Sequence, residues 1–360
     1  MAAFAGALDA HELRSLYVRS LQRIRSKTRT RQHPGRAVSI SITSVVAWRK
    51  LALCLGAALV GLVGVITAFT WIAPEQALHL TYKFGRLLAH LERKDIYLTD
   101  GTHFAYLDGG GGEPLMLLHG FGGNKDYFLI FARYLTPHFR VVIPDVIGFG
   151  ESSHLPGADY SPLAQAERLH ALLEALGVSH THIGGTSSGA QIALTYAARY
   201  PDQTASVLAI GAPGVSNARL SPYQEERTRG HNALLISNTD DMVRLLALLT
   251  ERPPWIPRPL LAGMAAERIR DRQFQEYMFK QRRLDPLEAR VAGLGTPTLL
   301  VWGSADKIVD PDAGRILNSI LPNSRLILKA GIGHSVAIEC PKALANDYLD
   351  FRSSLPMPAH

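Results

Sequence analysis

A short segment near the middle of the chain, Gly185-Thr186-Ser187-Ser188-Gly189, has the spacing G-x-S-x-G. Between a strand and a helix this spacing is typical of a nucleophile elbow, in which the glycines allow a sharp turn and the serine is left exposed. The spacing selects Ser187, because Ser188 has no glycine two residues before it. An ordinary glycine–serine turn has the same letters, so the interpretation depends on partner residues elsewhere in the chain.

A serine becomes a nucleophile when a base takes its proton and a third group orients that base. His334 and Asp306 are the candidates, and each follows a predicted strand. The order serine, aspartate, histidine along the chain is the one expected after a nucleophile elbow. Asp310 is an alternative acid, but it lies beside Pro311 and could cap a helix instead. The sequence therefore predicts a triad of Ser187, Asp306 and His334.

The segment from Leu118 to Gly123 (LHGFGG) follows a predicted strand and precedes a helix predicted over Asn124–Leu135. An acyl-transfer site needs two preorganised N–H donors for the oxyanion, and we expect them to be the backbone N–H groups of Phe121 and Ser188. In the same segment, we predict that the substrate contacts His119, Gly120 and Gly122. A nucleotide-binding loop is disfavoured, because neither G-x-G-x-x-G nor a Lys-Ser/Thr pair follows.

Short apolar strands alternate with helices around these residues, which predicts a mostly parallel sheet covered by helices on both faces. The predicted strands include residues 115–118, 141–143, 182–183, 207–210, 299–302 and 326–328, preceded by a hairpin around Asp100-Gly101. Sites form where parallel strands end, so this arrangement would bring the three candidates together. Asp145, before the serine, is interpreted as part of a structural loop near the pocket mouth.

Between Pro213 and Gly293 the alternation stops, and a helical, proline-containing segment predicts an inserted cap. Before the sheet, residues 51–72 are apolar and uncharged, and long enough to cross a hydrocarbon core. A buried core helix or a cleaved signal peptide would be shorter. The predicted division is a basic tail (1–50), a transmembrane anchor (51–72), a hydrolase core in two parts (74–212 and 294–357) and the cap (213–293).

The formal net charge of +7 comes from the first fifty residues, and the remainder is near neutral. This distribution does not favour nucleic-acid binding by the body of the protein. By the positive-inside rule, Arg36, Arg49 and Lys50 keep the N-terminus cytoplasmic and place the body across the membrane. Residues His11–Ile24 have helical apolar spacing among arginines, which is compatible with a membrane-surface helix, a solvated tail or an organelle-targeting peptide.

Over residues 95–353 the chain resembles the α/β-hydrolase family. Within it, the segments HGFGGNKD, GGTSSG, WGSADKIVD and GIGHSV resemble membrane-anchored monoacylglycerol lipases and related bacterial lipases. The resemblance implies the residue roles given above, an acyl-enzyme mechanism, and no cofactor or metal. Many relatives have Leu-Pro where this chain has Val146-Ile147, and methionine where it has Ser188, so the subfamily stays open.

The expected function is hydrolysis of carboxylic esters, with a lipid or small ester as substrate and the membrane as partner through the N-terminal helix. Serine at the elbow disfavours epoxide hydrolases and dehalogenases, which use aspartate there. Carbon–carbon bond hydrolases and aminopeptidases share the serine, and a membrane-anchored ligand sensor without turnover is a further alternative. The fold by itself assigns no substrate.

Overall fold

The computed structural model describes residues 42–281 and 286–355. The possible surface helix at His11–Ile24 and the basic tail before residue 42 lie outside the described residues. Of the described residues, those through Ala73 together with Pro254–Ile256 make one compact unit, and the rest make a second. The second unit contains all the residues predicted to carry chemistry.

One sheet runs through the second unit, and its strands contain the predicted apolar segments. The strands are β1 (Glu92–Tyr97), β2 (His103–Gly110), β3 (Glu113–Leu118), β4 (Phe139–Pro144), β5 (Thr181–Thr186), β6 (Thr204–Ile210), β7 (Thr298–Gly303) and β8 (Ser324–Lys329). They lie in the order β1-β2-β4-β3-β5-β6-β7-β8. Strand β2 pairs antiparallel with β1 and β4, and every other neighbouring pair is parallel. The predicted mostly parallel sheet is therefore confirmed.

Helices connect the strands and cover the sheet. The helices are α1 (Ile42–Ile72), α2 (Pro74–Leu88), α3 (Leu129–Ala132), α4 (Pro162–Ala175), α5 (Ser188–Arg199), α6 (Pro222–Thr228), α7 (Thr239–Leu249), α8 (Arg258–Arg270), α9 (Arg272–Gln281), α10 (Leu287–Val291), α11 (Asp312–Ile320), α12 (Val336–Glu339) and α13 (Pro341–Ser353). The described residues of the segment between β6 and β7 contain only helices, α6 to α10, and connecting loops.

The core lies between the sheet and its covering helices. Because side chains alternate along a strand, Leu115 and Leu117 of β3 point to the same face. On that face they pack with Phe131 of α3 and with Tyr348 of α13, and all four are fully buried. Helix α5 contacts β3, β5 and β6, and α4 packs on α5. Burial of both faces explains why these strands are continuous apolar runs rather than alternating ones.

The strand predicted at residues 182–183 is longer than expected. Strand β5 also contains Gly184 and Gly185, which were expected to lie in a turn. A Cβ atom on Gly185 would lie 2.4 Å from the carbonyl carbon of Gly189 in the next helix. The glycine thus allows the helix to start directly against the strand end. Its role is close packing, which is why a turn prediction based on composition ended the strand too early.

Residues Asn124–Leu135, predicted as one helix, form a 3-10 turn at Lys125–Phe128 followed by the short helix α3. The Asn124 side chain begins the turn by accepting the backbone N–H of Asp126 at 3.0 Å. The helix is short because the side chains of this segment pack into the core or form ion pairs. They do not form one continuous apolar face of a helix.

The first unit contains helix α1, which starts nine residues before the predicted span. Its segment Leu53–Ile72 is the one described helix that is long and apolar enough to cross a membrane, and none of it is buried. Large apolar side chains such as Leu53, Val60 and Trp71 are exposed along it. A helix that is apolar all round and unburied is compatible with a lipid environment.

Candidate active site

Ser187 lies at the junction of β5 and α5 with φ 54° and ψ −125°. A positive φ is uncommon for a residue with a side chain, and such strain persists only where surrounding structure holds it. Here the N–H of Ser187 donates to the carbonyl of Ile210 at 2.8 Å, and its own carbonyl accepts the N–H of Ala190 at 2.9 Å. The predicted sharp turn is therefore present and anchored to the end of the neighbouring strand β6.

His334 follows β8 and Asp306 follows β7, and the two side chains meet. The Nδ1 atom of His334 lies 2.7 Å from Oδ2 of Asp306. The other carboxylate oxygen, Oδ1, accepts the N–H groups of Ile308 at 2.8 Å and Val309 at 3.0 Å. Since these backbone donors require an acceptor, the carboxylate is held as an acceptor and Nδ1 is the donor. Nε2 of His334 is thereby left to accept a proton, and it has no hydrogen-bond partner among the described residues.

The end of β6 brings His334 toward the serine. Gly211 follows Ile210, whose carbonyl binds Ser187, and has φ 59°. A Cβ atom on Gly211 would lie 3.0 Å from the His334 ring. The Tyr127 hydroxyl also faces the side chains of Thr186 and Ser335, which are neighbours of Ser187 and His334, while burial raises the Tyr127 pKa. The structure thus joins His334 to Asp306 and brings both Ser187 and the His334 ring to the end of β6.

Asp310, the alternative acid, is engaged elsewhere. Its Oδ1 accepts the N–H of Asp312 at 2.8 Å, at the start of α11. The same atom lies 3.5 Å from a guanidinium nitrogen of Arg219. The geometry therefore favours Asp306 as the residue that orients His334.

The loop after β3 lies directly beside the serine. A Cβ atom on Gly120 would be 3.2 Å from the Cβ of Ser187. The N–H of Ser188 is at the first position of α5, where helical N–H groups have no partner within the helix. In the described part of the chain no acceptor is recorded for the N–H of Phe121 or for that of Ser188. Both groups are available as the oxyanion donors that the sequence predicts.

The His119 side chain makes structural contacts within the loop. It is 1% exposed, its Nδ1 lies 2.8 Å from the carbonyl of Gly120, and its Nε2 accepts the N–H of Val146 at 3.0 Å. These partners fix a neutral ring, and burial lowers the pKa of His119. Because both nitrogens are occupied, the ring positions the backbone of Gly120, and its contact with a substrate stays a prediction.

A buried ion cluster holds the far end of the same loop. The Lys125 ammonium lies 2.7 Å from Oδ2 of Asp145 and 2.8 Å from Oε1 of Glu151. Asp145 also accepts the backbone N–H groups of Lys125 at 2.6 Å and Glu151 at 2.8 Å. Lys125 and Asp145 are both buried. The cluster joins the loop after β3 to the loop after β4, which agrees with the structural role expected for Asp145.

Two residues near the site were given no role by sequence reasoning. Lys125 lies two residues after Gly123, within the segment HGFGGNKD, where a lysine normally suggests solvent exposure. Arg268 of α8 lies against Gly122, since a Cβ atom there would be 2.2 Å from its Nη2. Gly122, expected to contact a substrate, therefore has this guanidinium on one side. Neither contact has a local signal, because both partners come from distant parts of the chain.

Comparison with known proteins agrees with this geometry. A family model described as the alpha/beta hydrolase fold matches residues 113–341. Lipase 1 of Psychrobacter immobilis is 37% identical over 279 residues, covering 76% of this chain and 88% of the lipase. The human monoacylglycerol lipase ABHD6 is 26% identical over 298 residues, covering 78% of this chain and 88% of its own. The crystal structure of a bacterial membrane phospholipase A, a virulence factor, superposes with TM-score 0.76 and 33% identity over 83% of this chain and 97% of its own.

Proposed function

Because the chain belongs to the α/β-hydrolase family, we propose that it is a serine hydrolase that cleaves carboxylic esters of lipids, with Ser187 as the nucleophile. The observation that carries the proposal is the His334–Asp306 hydrogen bond of 2.7 Å beside the strained Ser187 turn. A histidine held by an aspartate, with its Nε2 free to accept a proton from a nearby serine, is the arrangement that activates a hydroxyl.

In the proposed mechanism, Nε2 of His334 takes the proton of the Ser187 hydroxyl as its oxygen attacks the ester carbonyl. Asp306 stabilises the resulting imidazolium and keeps the ring oriented. The negative charge on the carbonyl oxygen is bound by the N–H groups of Phe121 and Ser188. The imidazolium then protonates the departing alcohol, leaving an acyl group on Ser187. A water molecule, deprotonated by His334, releases the acid and restores the serine.

Lipid esters are the substrate class that the relatives support. Those most similar to the chain include a lipase, a monoacylglycerol lipase and a membrane phospholipase A. The unburied apolar helix α1 supports anchoring in a membrane, where such esters are found. The helical segment between β6 and β7 is proposed to act as the cap, and Leu245 and Leu261 are among its buried apolar residues. The division into tail, anchor, two-part core and cap is part of this proposal.

The orientation in the membrane is also a proposal. Arg49 and Lys50 directly precede the apolar segment, and few charges follow it closely. The positive-inside rule therefore supports a cytoplasmic N-terminus, with the catalytic unit on the periplasmic or extracytoplasmic side.

The test uses the full-length protein in detergent, with p-nitrophenyl esters of short and long acyl chains and monoacylglycerol as substrates. Replacing Ser187 by alanine removes the attacking oxygen, so kcat is expected to fall by at least about 10³-fold. Ser319→Ala, an exposed serine of α11, is the matched control and should keep the rate of the parent protein.

Labelling of the parent protein, but not of Ser187→Ala, by a fluorophosphonate would identify the nucleophile directly. Ester hydrolysis that survives in Ser187→Ala would contradict the role of this residue. A folded parent protein with no activity on any ester would contradict the esterase proposal, and it would shift attention to carbon–carbon bond hydrolysis, peptide hydrolysis or ligand sensing.

A further inference from the structure

A cavity of about 320 Å³, lined by many charged residues, lies beside the loop that carries Phe121. Its walls come from helix α2, from the loop at Gly122 and Gly123, and from helix α8. The cavity contains neither Ser187 nor His334, so the proposed mechanism does not use it. It is nevertheless adjacent, because Gly122 follows Phe121 in sequence and Gly120 lies beside Ser187.

Most of the cations lining this cavity have carboxylate partners. Arg86 binds Asp126 through two hydrogen bonds of 2.7 and 2.6 Å. Lys125 is bound by Asp145 and Glu151. In each pair the cation and the carboxylate neutralise each other. These residues therefore need no ligand to balance their charge.

Arg268 is the exception among the partly or fully buried cations that line this cavity. Its Nη2 donates to the carbonyl of Leu234 at 2.9 Å, and Nε is buried with no acceptor among the described residues. No carboxylate of the described residues pairs with it. Burial lowers the pKa of Arg268 to about 10, so the guanidinium still carries its charge at neutral pH. A buried charge with an unsatisfied donor is costly, and such exceptions in folded proteins call for an explanation.

An anion in the cavity would supply the negative charge that Arg268 lacks among the described residues. The planar guanidinium presents its N–H groups in a fork that matches phosphate oxygens. The carboxylates nearby are occupied: Asp126 is bound by Arg86, and Glu267 lies within hydrogen-bond distance of His79. Burial also raises the pKa of Glu267. These contacts leave the Arg268 guanidinium as the group best placed to receive a phosphate.

We propose that Arg268 binds the phosphate group of a phospholipid or lysophospholipid whose scissile ester lies at Ser187. The inference rests on the proposed function and makes its substrate class narrower. In such a lipid only the glycerol carbons separate ester from phosphate. In the protein, only the short loop from Gly120 to Gly122 separates the serine from the guanidinium. In this proposal the ester lies at the Gly120 end of the loop and the phosphate at the Gly122 end.

The test compares two substrates with one acyl chain, oleoyl lysophosphatidylglycerol and monooleoylglycerol, on the full-length protein in detergent. The quantity measured is the ratio of kcat/KM for the first to kcat/KM for the second. In Arg268→Gln this ratio is expected to fall about 10- to 100-fold, as for loss of hydrogen bonds to a charged group. Arg268→Lys should retain part of the ratio, because it keeps the charge but loses the fork.

Arg244→Gln is the matched control. Arg244 is an exposed arginine of α7 paired with Asp241, outside the cavity, and its ratio should equal that of the parent protein. If Arg268→Gln and Arg244→Gln give the same ratio, the proposal is overturned, even where both rates of Arg268→Gln are low. A merely structural role of Arg268 lowers the two rates together and leaves the ratio unchanged.

Binding to the inactive Ser187→Ala protein, measured by calorimetry, separates a lipid phosphate from a free one. Lysophosphatidylglycerol is expected to bind more weakly when Arg268→Gln is added to this variant. If inorganic phosphate alone responds to Arg268→Gln, the site takes a free anion and the lipid assignment is overturned. Because this binding measurement needs no turnover, it tests phosphate binding by Arg268 even if Ser187 proves not to be the nucleophile.

Discussion

At the scale of single residues, Ser187 and Asp306 are held in position in different ways. Ser187 is held at a strained backbone angle, which exposes its side chain between a strand and a helix. Asp306 is held without strain by two backbone N–H groups, which fix one oxygen while the other binds His334. The acid is thus preorganised by its own loop, and the histidine is oriented by the acid.

This arrangement predicts different effects for the two neighbouring aspartates. In Asp306→Asn an amide replaces the acceptor that selects the Nδ1–H tautomer of His334, so kcat should fall about 10²- to 10⁴-fold. Asp310→Asn is the matched control, because Asp310 binds Asp312 and Arg219 instead, and should keep most of the rate. Steady-state kinetics on a p-nitrophenyl ester measure both, and a larger loss in Asp310→Asn would reverse the assignment.

At the scale of elements, the site depends on loops that follow β3, β4, β7 and β8. The loop after β3 is fixed at one end by the His119 ring and at the other by the Lys125 cluster. Both contacts join the loop after β3 to the loop after β4. The strands therefore provide the positions, while buried polar contacts between loops provide the orientation of the oxyanion donors.

Removing the Lys125 ammonium should lower stability, because it leaves the buried carboxylate of Asp145 without its ion-pair partner. Lys125→Met is expected to lower the free energy of unfolding by about 3–5 kcal/mol. Lys307→Met, which breaks the exposed pair with Glu251 at 2.9 Å, is the matched control and should cost less than about 1 kcal/mol. Urea unfolding in detergent measures both, and equal costs would show that the buried cluster adds nothing.

The same cluster gives this difference a pH dependence. Partial burial by itself would raise the pKa of Glu151, but hydrogen bonds and charges from Lys125 and Arg93 lower it from 4.5 to about 2. A carboxylate with a depressed pKa stabilises the fold above its unfolded value and loses that effect as the pH falls. The stability gap between the parent protein and Lys125→Met should thus shrink between pH 4.5 and pH 2.

At the scale of the whole molecule, the chain combines a catalytic unit built on one sheet with an apolar N-terminal helix. The first is close-packed on both faces of the sheet, and the second is unburied over its whole apolar segment. These are the properties of a globular enzyme and of a membrane span. A similar solved structure, described as a membrane phospholipase A, agrees with this combination.

The proposed orientation predicts the behaviour of reporters fused to the C-terminus. Alkaline phosphatase, which works outside the cytoplasm, should be active, and green fluorescent protein should be dark when exported by this route. Replacing Arg49 and Lys50 together by glutamate removes the nearest positive charges, so it should raise the fraction of chains in the opposite orientation. Fluorescence in the parent fusion would place the catalytic unit in the cytoplasm.

Much of the fold and part of the site could be predicted from local patterns. Apolar runs and their breaks located the strands near Leu115, Val141, Val207 and Leu299, because burial on both faces requires continuous apolar sequence. Chain order and strand ends selected Ser187, Asp306 and His334 as candidates. Boundaries were less accurate at β5, because Gly185 is required by packing against a helix and not by a turn.

The sequence by itself determined which residues could do the chemistry, where the sheet and the apolar span lie, and in which order the elements follow. These properties are encoded in short segments, through apolar periodicity, turn residues and motif spacing. Only the tertiary structure decided that Asp306 binds His334, that His119 supports a loop, and that Arg268 lies against Gly122. Those contacts join residues far apart in the chain, so they depend on how the whole molecule packs.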